Sequence, residues 1–330
     1  MSGWDRAKRN FSSKRYELKR GLITWDKNEI APQAFEERLK RIRTILSERS
    51  LPAIVVYSEL WRSNQARFLS NYMPYFNRAF LIVPADSPVI LLCGLSPRVY
   101  GWIRSVTTIE DVRPAGNFAR TLSQLAAERG WSQLGFLDFG RFPWDLHKAL
   151  LAEPFKAVSI SSTDAVFCDD TELALRRKAV QMARSILQEE ISAGCSLLDH
   201  ELVGLLERQF RRAGAEDLIV LLSNGSSLPS PPTAQKLNEH FSVSVALEYR
   251  GHWVRVTRPH GFECEEKWLL EPDSDALFEN LGGSYPYEVM DRSAVGIGSI
   301  FSVHTEKRAG DKRVFYGDTC WYGPSGRQLL

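Results

Sequence analysis

Two arginines and a histidine lie close together in one stretch of this 330-residue chain, YRGHWVRVTRPHG (residues 249–261). The pattern predicts two β-strands joined by a glycine turn and followed by a loop. A guanidinium fork matches the geometry of a carboxylate, so Arg255 and Arg258 are candidates for binding a small carboxylate. His260 and Tyr249 are further candidates for the rim of that pocket, although His260 could equally be a surface residue of the loop.

A second group of candidate residues lies near the C-terminus. His304 and Glu306 are two positions apart in SIFSVHTE, so they share one face if this segment is a strand. With an ordinary pKa of about 6.5, His304 could act as a general acid or base near neutral pH. Tyr316 could donate a hydrogen bond to a developing anion, and Asp318 lies two residues further on. The alternatives are a hydrogen-bonded core histidine and a core tyrosine.

The elements that must position these residues fall into two groups. Up to about residue 165, helical patterns such as QAFEERLKRIRTILSERS alternate with apolar strands, including AIVVYS and the hairpin AFLIVPADSPVILLC. This alternation predicts an α/β domain at residues 34–165, after an N-terminal extension at residues 1–33.

The second group, residues 166–330, opens with two helical patterns, 170–194 and 196–214. Asp170 or Thr171 could cap the first helix. Short alternating segments then predict strands: LIVLLS, FSVSVALEY, HWVRVT, SIFSVHTE, RVFYG and TCWYG. Helices followed by strands predict an α+β domain in which the helices cover a curved, mostly antiparallel sheet.

Composition excludes several classes of protein. The 42 basic and 40 acidic residues give a net charge of +2, which argues against a nucleic-acid or membrane-surface partner. No apolar run approaches a membrane span of about 18 residues, and the polar N-terminus predicts no signal peptide. Five scattered cysteines predict reduced thiols and a cytoplasmic location. They are Cys93, Cys168, Cys195, Cys264 and Cys320.

The order of these motifs resembles the creatinase, prolidase and aminopeptidase P superfamily, whose C-terminal domain has the pita-bread fold. The resemblance covers residues 35–330, and it depends on six short segments in the right order. They are ARFLSNY with the hairpin that follows, DDTELALRRKAVQMA, LIVLLSNGSSLPSPP, VSVALEYRGHWVRVTRP, GIGSIFSVHTE and FYGDTCWYGPSGRQLL.

Metallopeptidases of this superfamily hold two divalent ions with two Asp, one His and two Glu. The resemblance places the four carboxylate positions at Ser244, Arg255, His304 and Gly317, and the His position in LGGSYPYE, which has no histidine. An arginine in place of a ligand repels a cation, and a single imidazole is not a metal site. The resemblance therefore predicts a chain without a metal or other cofactor.

Two further expectations follow from the resemblance. The segment between Pro259 and Gly282 has room for about one helix where the peptidases usually have two, which should reshape the pocket mouth. An N-terminal segment containing Arg67 and Tyr75 corresponds to one that often reaches a neighbouring subunit's pocket in relatives. The resemblance thus predicts a homodimer in which Arg67 and Tyr75 also contact substrate.

Three functions remain open. The first is a metal-independent enzyme of specialised metabolism that acts on a small carboxylate or amino-acid-like substrate, by C–N hydrolysis or a related lyase or cyclisation step. The second is an inactive relative that serves as a binding or scaffold protein. For Arg255 itself, the alternative to substrate binding is that it pairs with a local acid such as Glu306 or Asp318 and only fills the vacated site. The third is a metal-dependent Xaa-Pro peptidase.

Overall fold

The structure is a computed structural model that describes residues 24–74, 77–165, 168–194, 196–225, 228–283, 286–309 and 312–330. The chain divides into two compact units, Ile23–Phe167 and Cys168–Leu330. No helix in the described part of the chain is long and apolar enough to cross a membrane.

The N-terminal unit is built on a six-stranded mixed sheet. Its strands are β1 Ala53–Ser58, β2 Ala79–Pro84, β3 Ile90–Cys93, β4 Asp111–Pro114, β5 Gln133–Leu137 and β6 Lys156–Ile160. Their order in the sheet is β4-β3-β2-β1-β5-β6. The predicted hairpin is present as β2 and β3, which pair antiparallel.

Helices cover this sheet. They are α1 Pro32–Glu48, α2 Asn64–Ser70, α3 Tyr100–Val106, α4 Phe118–Arg129, α5 Trp144–Leu151 and α6 Ser162–Ala165. Every residue of β1 is buried because its alternate side chains enter two separate apolar clusters. Ile54 and Val56 pack in one cluster, and Val55 and Tyr57 pack in the other. The sheet is thus buried on both faces, as a strand of continuous apolar residues predicts.

The C-terminal unit contains an eight-stranded antiparallel sheet. Its strands are β7 Asp217–Ser223, β8 Phe241–Tyr249, β9 His252–His260, β10 Leu277–Asn280, β11 Glu288–Val289, β12 Ile300–Ala309, β13 Lys312–Gly323 and β14 Gly326–Leu329. The order is β11-β10-β12-β13-β9-β8-β7, and β14 pairs with β13. Its helices are α7 Asp170–Gly194, α8 Asp199–Arg212 and α9 Lys267–Leu270. Helix α7 packs against β8, β9 and α8.

The β8–β9 hairpin fixes the register on which the candidate site depends. Arg250 and Gly251 have φ angles of 50° and 87°, so the loop is a two-residue turn with both central residues in the left-handed region. This turn type matches the natural twist of a hairpin. It pairs Ser244 with Thr257 across the two strands.

Three details of the C-terminal unit correct the sequence interpretation. The segments RVFYG and TCWYG are parts of one strand, β13. Strand β9 does not stop before its proline, since Pro259 and His260 still pair with β8. The carboxylate that caps α7 belongs to Asp169, whose Oδ1 accepts from the backbone N–H of Glu172 at 2.7 Å. Asp169 can do this because it precedes the first helical residue.

Candidate functional site

The four positions at which the resemblance predicts carboxylate ligands come together on one face of the C-terminal sheet. In the strand register Ser244 pairs with Thr257, Thr257 with Gly317, and Gly317 with His304. Paired residues of neighbouring strands project to the same side, and Arg255 joins them because it lies two residues before Thr257. We name this side the far face, because α7 packs on the opposite one.

Arg255 is held at the far face by an ion pair with Glu279 of β10. Both side chains are buried. The Nε of Arg255 donates to Ser244 Oγ at 3.1 Å, and its guanidinium lies 4.4 Å from the ring centre of Tyr287. Ser302 Oγ donates to the same Glu279 carboxylate at 3.1 Å. The positive charge of the arginine is therefore neutralised inside the protein.

Arg255 is paired with an acid, as the alternative for this residue expected, but the partner is neither Glu306 nor Asp318. Glu306 is exposed and lies 3.1 Å from Arg313, although it is only two residues from His304. Asp318 projects to the opposite face, since it alternates with Gly317 along β13. The partner is Glu279, which lies in a segment that the sequence analysis treated as room for a helix.

His304 lies beside this ion pair with a defined orientation. Its Nδ1 is 3.1 Å from Thr257 Oγ1, and that hydroxyl donates to Ser244 Oγ at 2.8 Å. The direction of the bond between Nδ1 and Thr257 depends on the imidazole tautomer. With the ring proton on Nδ1, Thr257 accepts and Nε2 carries the lone pair. Among the described residues, Nε2 has no hydrogen-bond partner. It lies 3.6 Å from Glu279 Oε2.

The imidazole of His304 is uncharged at neutral pH. Burial, followed by the positive charges of Arg255 and Arg258, holds its pKa well below the ordinary value of 6.5. The 3.6 Å approach of His304 Nε2 to Glu279 is not an ion pair, because the imidazole is uncharged. The far face thus presents a neutral imidazole whose Nε2 has no hydrogen-bond partner among the described residues.

Gly317 leaves the space that His304 fills. A Cβ atom at Gly317 would lie 2.1 Å from Nδ1 of the imidazole, so no other residue fits beside it. Close by, Thr319 Oγ1 accepts from the backbone N–H of Arg255 at 2.9 Å and donates to its carbonyl at 3.0 Å. A hydroxyl thus bridges β9 and β13 at the arginine.

A dinuclear metal centre does not fit these residues. Arg255 occupies one position at which the resemblance predicts a metal ligand. Gly317 occupies another and has no side chain. Glu279 is the carboxylate within this cluster, and it is bound to Arg255. Within the described ranges no group of three or more His, Cys, Asp or Glu side chains could hold a metal ion. One neutralised carboxylate cannot balance the charge of two divalent cations.

The remaining C-terminal candidates lie on the side of α7, which we name the helix face. Asp318 is buried there and accepts from Arg184 Nε at 2.9 Å and from Arg258 Nη2. Arg258 Nη1 donates to the carbonyls of Thr257 and Gly317 at 2.9 and 2.7 Å. Its guanidinium lies 4.9 Å from the ring centre of Tyr316. The predicted set is therefore divided between two faces of one sheet.

Two further predicted residues of the C-terminal unit, His260 and Tyr249, lie outside the far-face cluster. His260 belongs to β9, and its ring stacks on Phe241 with centroids 4.9 Å apart. Tyr249 is buried beside the β8–β9 turn, at the other end of both strands. Arg67 is a buried residue of α2 in the N-terminal unit. Tyr75 lies outside the described residues.

Sequence reasoning missed several residues of the two clusters. Ser302 could have been found, because it precedes His304 by two positions and so shares its face. Thr319 could have been found in the same way, because it lies two positions after Gly317. Glu279 and Arg184 carry no such signal, since one lies in a short strand and the other among several charged residues of α7.

Several solved structures of peptidases resemble this chain over most of its length. The X-Pro aminopeptidase from Thermotoga maritima MSB8 has a TM-score of 0.71 at 14% identity, over 88% of this chain and 96% of that chain. The Xaa-Pro dipeptidase from Bacillus anthracis has a TM-score of 0.67 at 15% identity, over 89% and 97%. The prolidase from Pyrococcus horikoshii OT3 has a TM-score of 0.65 at 13% identity, over 89% and 97%.

No protein-family model matches the chain, and no curated protein is significantly similar to it in sequence. At 10–15% identity the solved structures establish the fold. This chain therefore has the two-domain pita-bread fold of the creatinase, prolidase and aminopeptidase P superfamily, which confirms the resemblance and the predicted fold class.

Proposed function

We propose that this chain is a metal-independent enzyme that acts on a small carboxylate or amino-acid-like substrate at the far face. Hydrolysis of a C–N bond is the reaction that we favour, with elimination or cyclisation as related possibilities. The observation that supports the proposal most is the imidazole of His304. It is neutral and oriented by Thr257, and its Nε2 has no hydrogen-bond partner among the described residues.

An imidazole in this state can accept a proton from an attacking water or from the substrate. Arg255 would supply the binding charge by exchanging Glu279 for the substrate carboxylate, because both anions suit the same guanidinium fork. The peptidase names of the structural neighbours agree with a hydrolase, but their metal centre does not fit these residues. A cytoplasmic homodimer stays a prediction from composition and resemblance.

The test is an assay of the full chain after EDTA treatment, with N-acyl amino acids and Xaa-Pro dipeptides as substrates. We expect turnover that EDTA does not change, and a loss of about 10²- to 10⁴-fold in kcat for His304→Gln. The matched control is His200→Gln, since His200 is an exposed histidine of α8. Turnover that requires added Mn²⁺ would favour the Xaa-Pro metallopeptidase instead.

The second candidate is a binding or scaffold protein without catalysis. It is favoured by the ion pair of Arg255 and Glu279, which closes the far face with protein groups. An EDTA-treated chain that turns over none of these substrates, with or without Mn²⁺, would support this candidate.

A further inference from the structure

The helix face holds a cavity that is separate from the far-face cluster. It has a volume of about 750 Å³ and lies between α7 and the end of β9. Its polar lining includes Arg184, Arg258 and Tyr316, and its apolar wall includes Leu187 and Ile191. A volume of this size is in the range of small-molecule sites.

The short connection after β9 leaves this cavity open. The fully described segment 259–282 contains one single-turn helix, α9, and residues 259–262 line the cavity. The chain leaves β9 at Gly261, which has a φ of 71° and where a Cβ would lie 2.7 Å from His240 Nδ1. No larger residue fits this turn without strain. The geometry of the cavity mouth is therefore set by the backbone.

The floor of the cavity carries more positive than negative charge. Arg184 and Arg258 both bind the single buried carboxylate of Asp318. Glu266 lines the cavity too, but it is exposed to solvent, where its charge is screened. Two guanidinium groups against one buried carboxylate leave about one positive charge facing the cavity.

Both guanidinium groups remain partly exposed although they pair with Asp318. Arg184 contacts Asp318 Oδ2 through Nε at 2.9 Å and through Nη2 at 2.8 Å, and its side chain is 33% exposed. The side chain of Arg258 is 22% exposed. An anion in the cavity can therefore reach both guanidinium groups without displacing Asp318.

We infer that this cavity binds a small organic monoanion, a carboxylate with an apolar body. The carboxylate would lie against the guanidinium groups of Arg184 and Arg258, which Asp318 holds in place. The apolar body would pack against Phe262, a partly exposed apolar side chain of the lining. One surplus positive charge suits a monoanion better than a phosphate dianion. The site does not depend on the function proposed for the far face.

The chemistry of the lining indicates binding without covalent reaction. Burial raises the pKa of the Cys264 thiol to about 11, so the sulfur is protonated and a poor nucleophile at neutral pH. Burial also raises the pKa of Tyr316, which leaves its hydroxyl as a neutral donor. These groups can hold a ligand but do not attack it.

The test is calorimetric titration of the full chain with 3-phenylpropionate, 3-phenylpropanamide and phenyl phosphate. We expect the carboxylate to bind at least tenfold more tightly than the amide, and Arg258→Gln to weaken it at least tenfold. Arg313→Gln is the matched control, because Arg313 pairs with Glu306 outside the cavity. The Arg313→Gln variant should bind 3-phenylpropionate as tightly as the unchanged chain does.

Gln188→Trp provides a second variant that keeps both arginines. Gln188 is an exposed residue of the cavity rim, so the indole should block entry and abolish binding without disturbing the core. Equal affinity for carboxylate and amide, tighter binding of phenyl phosphate, or binding unchanged in both Arg258→Gln and Gln188→Trp would overturn the inference. Binding that is lost in His304→Gln and kept in Arg258→Gln would place the ligand at the far face instead.

Discussion

Both faces of the C-terminal sheet bury a carboxylate against arginine, but the two arrangements differ in balance and in access. At the far face Arg255 pairs one to one with Glu279, and both are buried. At the helix face two arginines share Asp318, and a cavity opens beside them. The comparison teaches that pairing arginine with a buried carboxylate gives a charge-neutral network on one face of the sheet and a surplus positive charge beside a cavity on the other.

The largest expected effect comes from breaking the buried ion pair of Arg255 and Glu279. Glu279→Ala should lower the free energy of unfolding by about 3–5 kcal/mol, because Arg255 is left buried and uncompensated. Urea denaturation measures this change. The control is Glu306→Ala, which removes an exposed partner of Arg313 and should cost less than about 1 kcal/mol.

Equal losses for Glu279→Ala and Glu306→Ala would show that the far face is not a closed network. A double variant, Arg255→Met with Glu279→Leu, sharpens the test. Because it removes both charges, it should recover much of the stability that Glu279→Ala loses.

The next effect tests the fit of the imidazole. Gly317→Ala should destabilise the protein by about 1–3 kcal/mol, since the added Cβ overlaps His304. Gly296→Ala is the control, because a Cβ there has no neighbour within 4 Å. If His304→Ala in the same chain does not rescue Gly317→Ala, the overlap is not the cause.

The protonation of His304 predicts how stability changes with pH. Its pKa is lowered in the folded state by burial and by Arg255 and Arg258, so below pH 6.5 the unfolded chain binds the extra proton. Stability should therefore fall as the pH drops from about 6.5 to 5, by at most about 1.4 kcal/mol per pH unit from this group.

The measurement is urea denaturation at several pH values for the unchanged chain, His304→Asn and the exposed control His200→Asn. His304→Asn should flatten the profile in this window, while His200→Asn should leave it unchanged. A profile that His304→Asn does not alter would mean that the imidazole is charged in the folded protein.

The smallest effect belongs to the helix face. Arg184→Gln should cost about 1 kcal/mol or less, because Asp318 keeps Arg258 and the side chain of Arg184 is partly exposed. Urea denaturation of Arg184→Gln and of Glu279→Ala compares the stability that each face contributes. A loss as large as that of Glu279→Ala would remove the distinction between them.

Much of the fold could be predicted from the sequence because it depends on local patterns. The continuous apolar run of β1 and the glycine turn at Gly251 each predict their element directly. The two-residue period of strands also placed Arg255 on the side where the resemblance predicts the metal-ligand positions. These inferences need no knowledge of distant neighbours.

The charge partners could not be predicted, because they depend on contacts between distant parts of the chain. Glu279 reaches Arg255 across intervening strands, from a strand of four residues. Asp318 and Gly317 are neighbours in sequence, yet they face opposite sides of the sheet. The position of Arg184 follows from how α7 packs on β9, which its apolar pattern alone does not specify.

The most direct test of the central claim is calorimetric titration of the EDTA-treated full chain with Mn²⁺. If Arg255 and Glu279 have replaced the metal centre with a neutral protein network, no stoichiometric binding should be measured. One or two Mn²⁺ ions bound per chain at micromolar affinity would contradict the account.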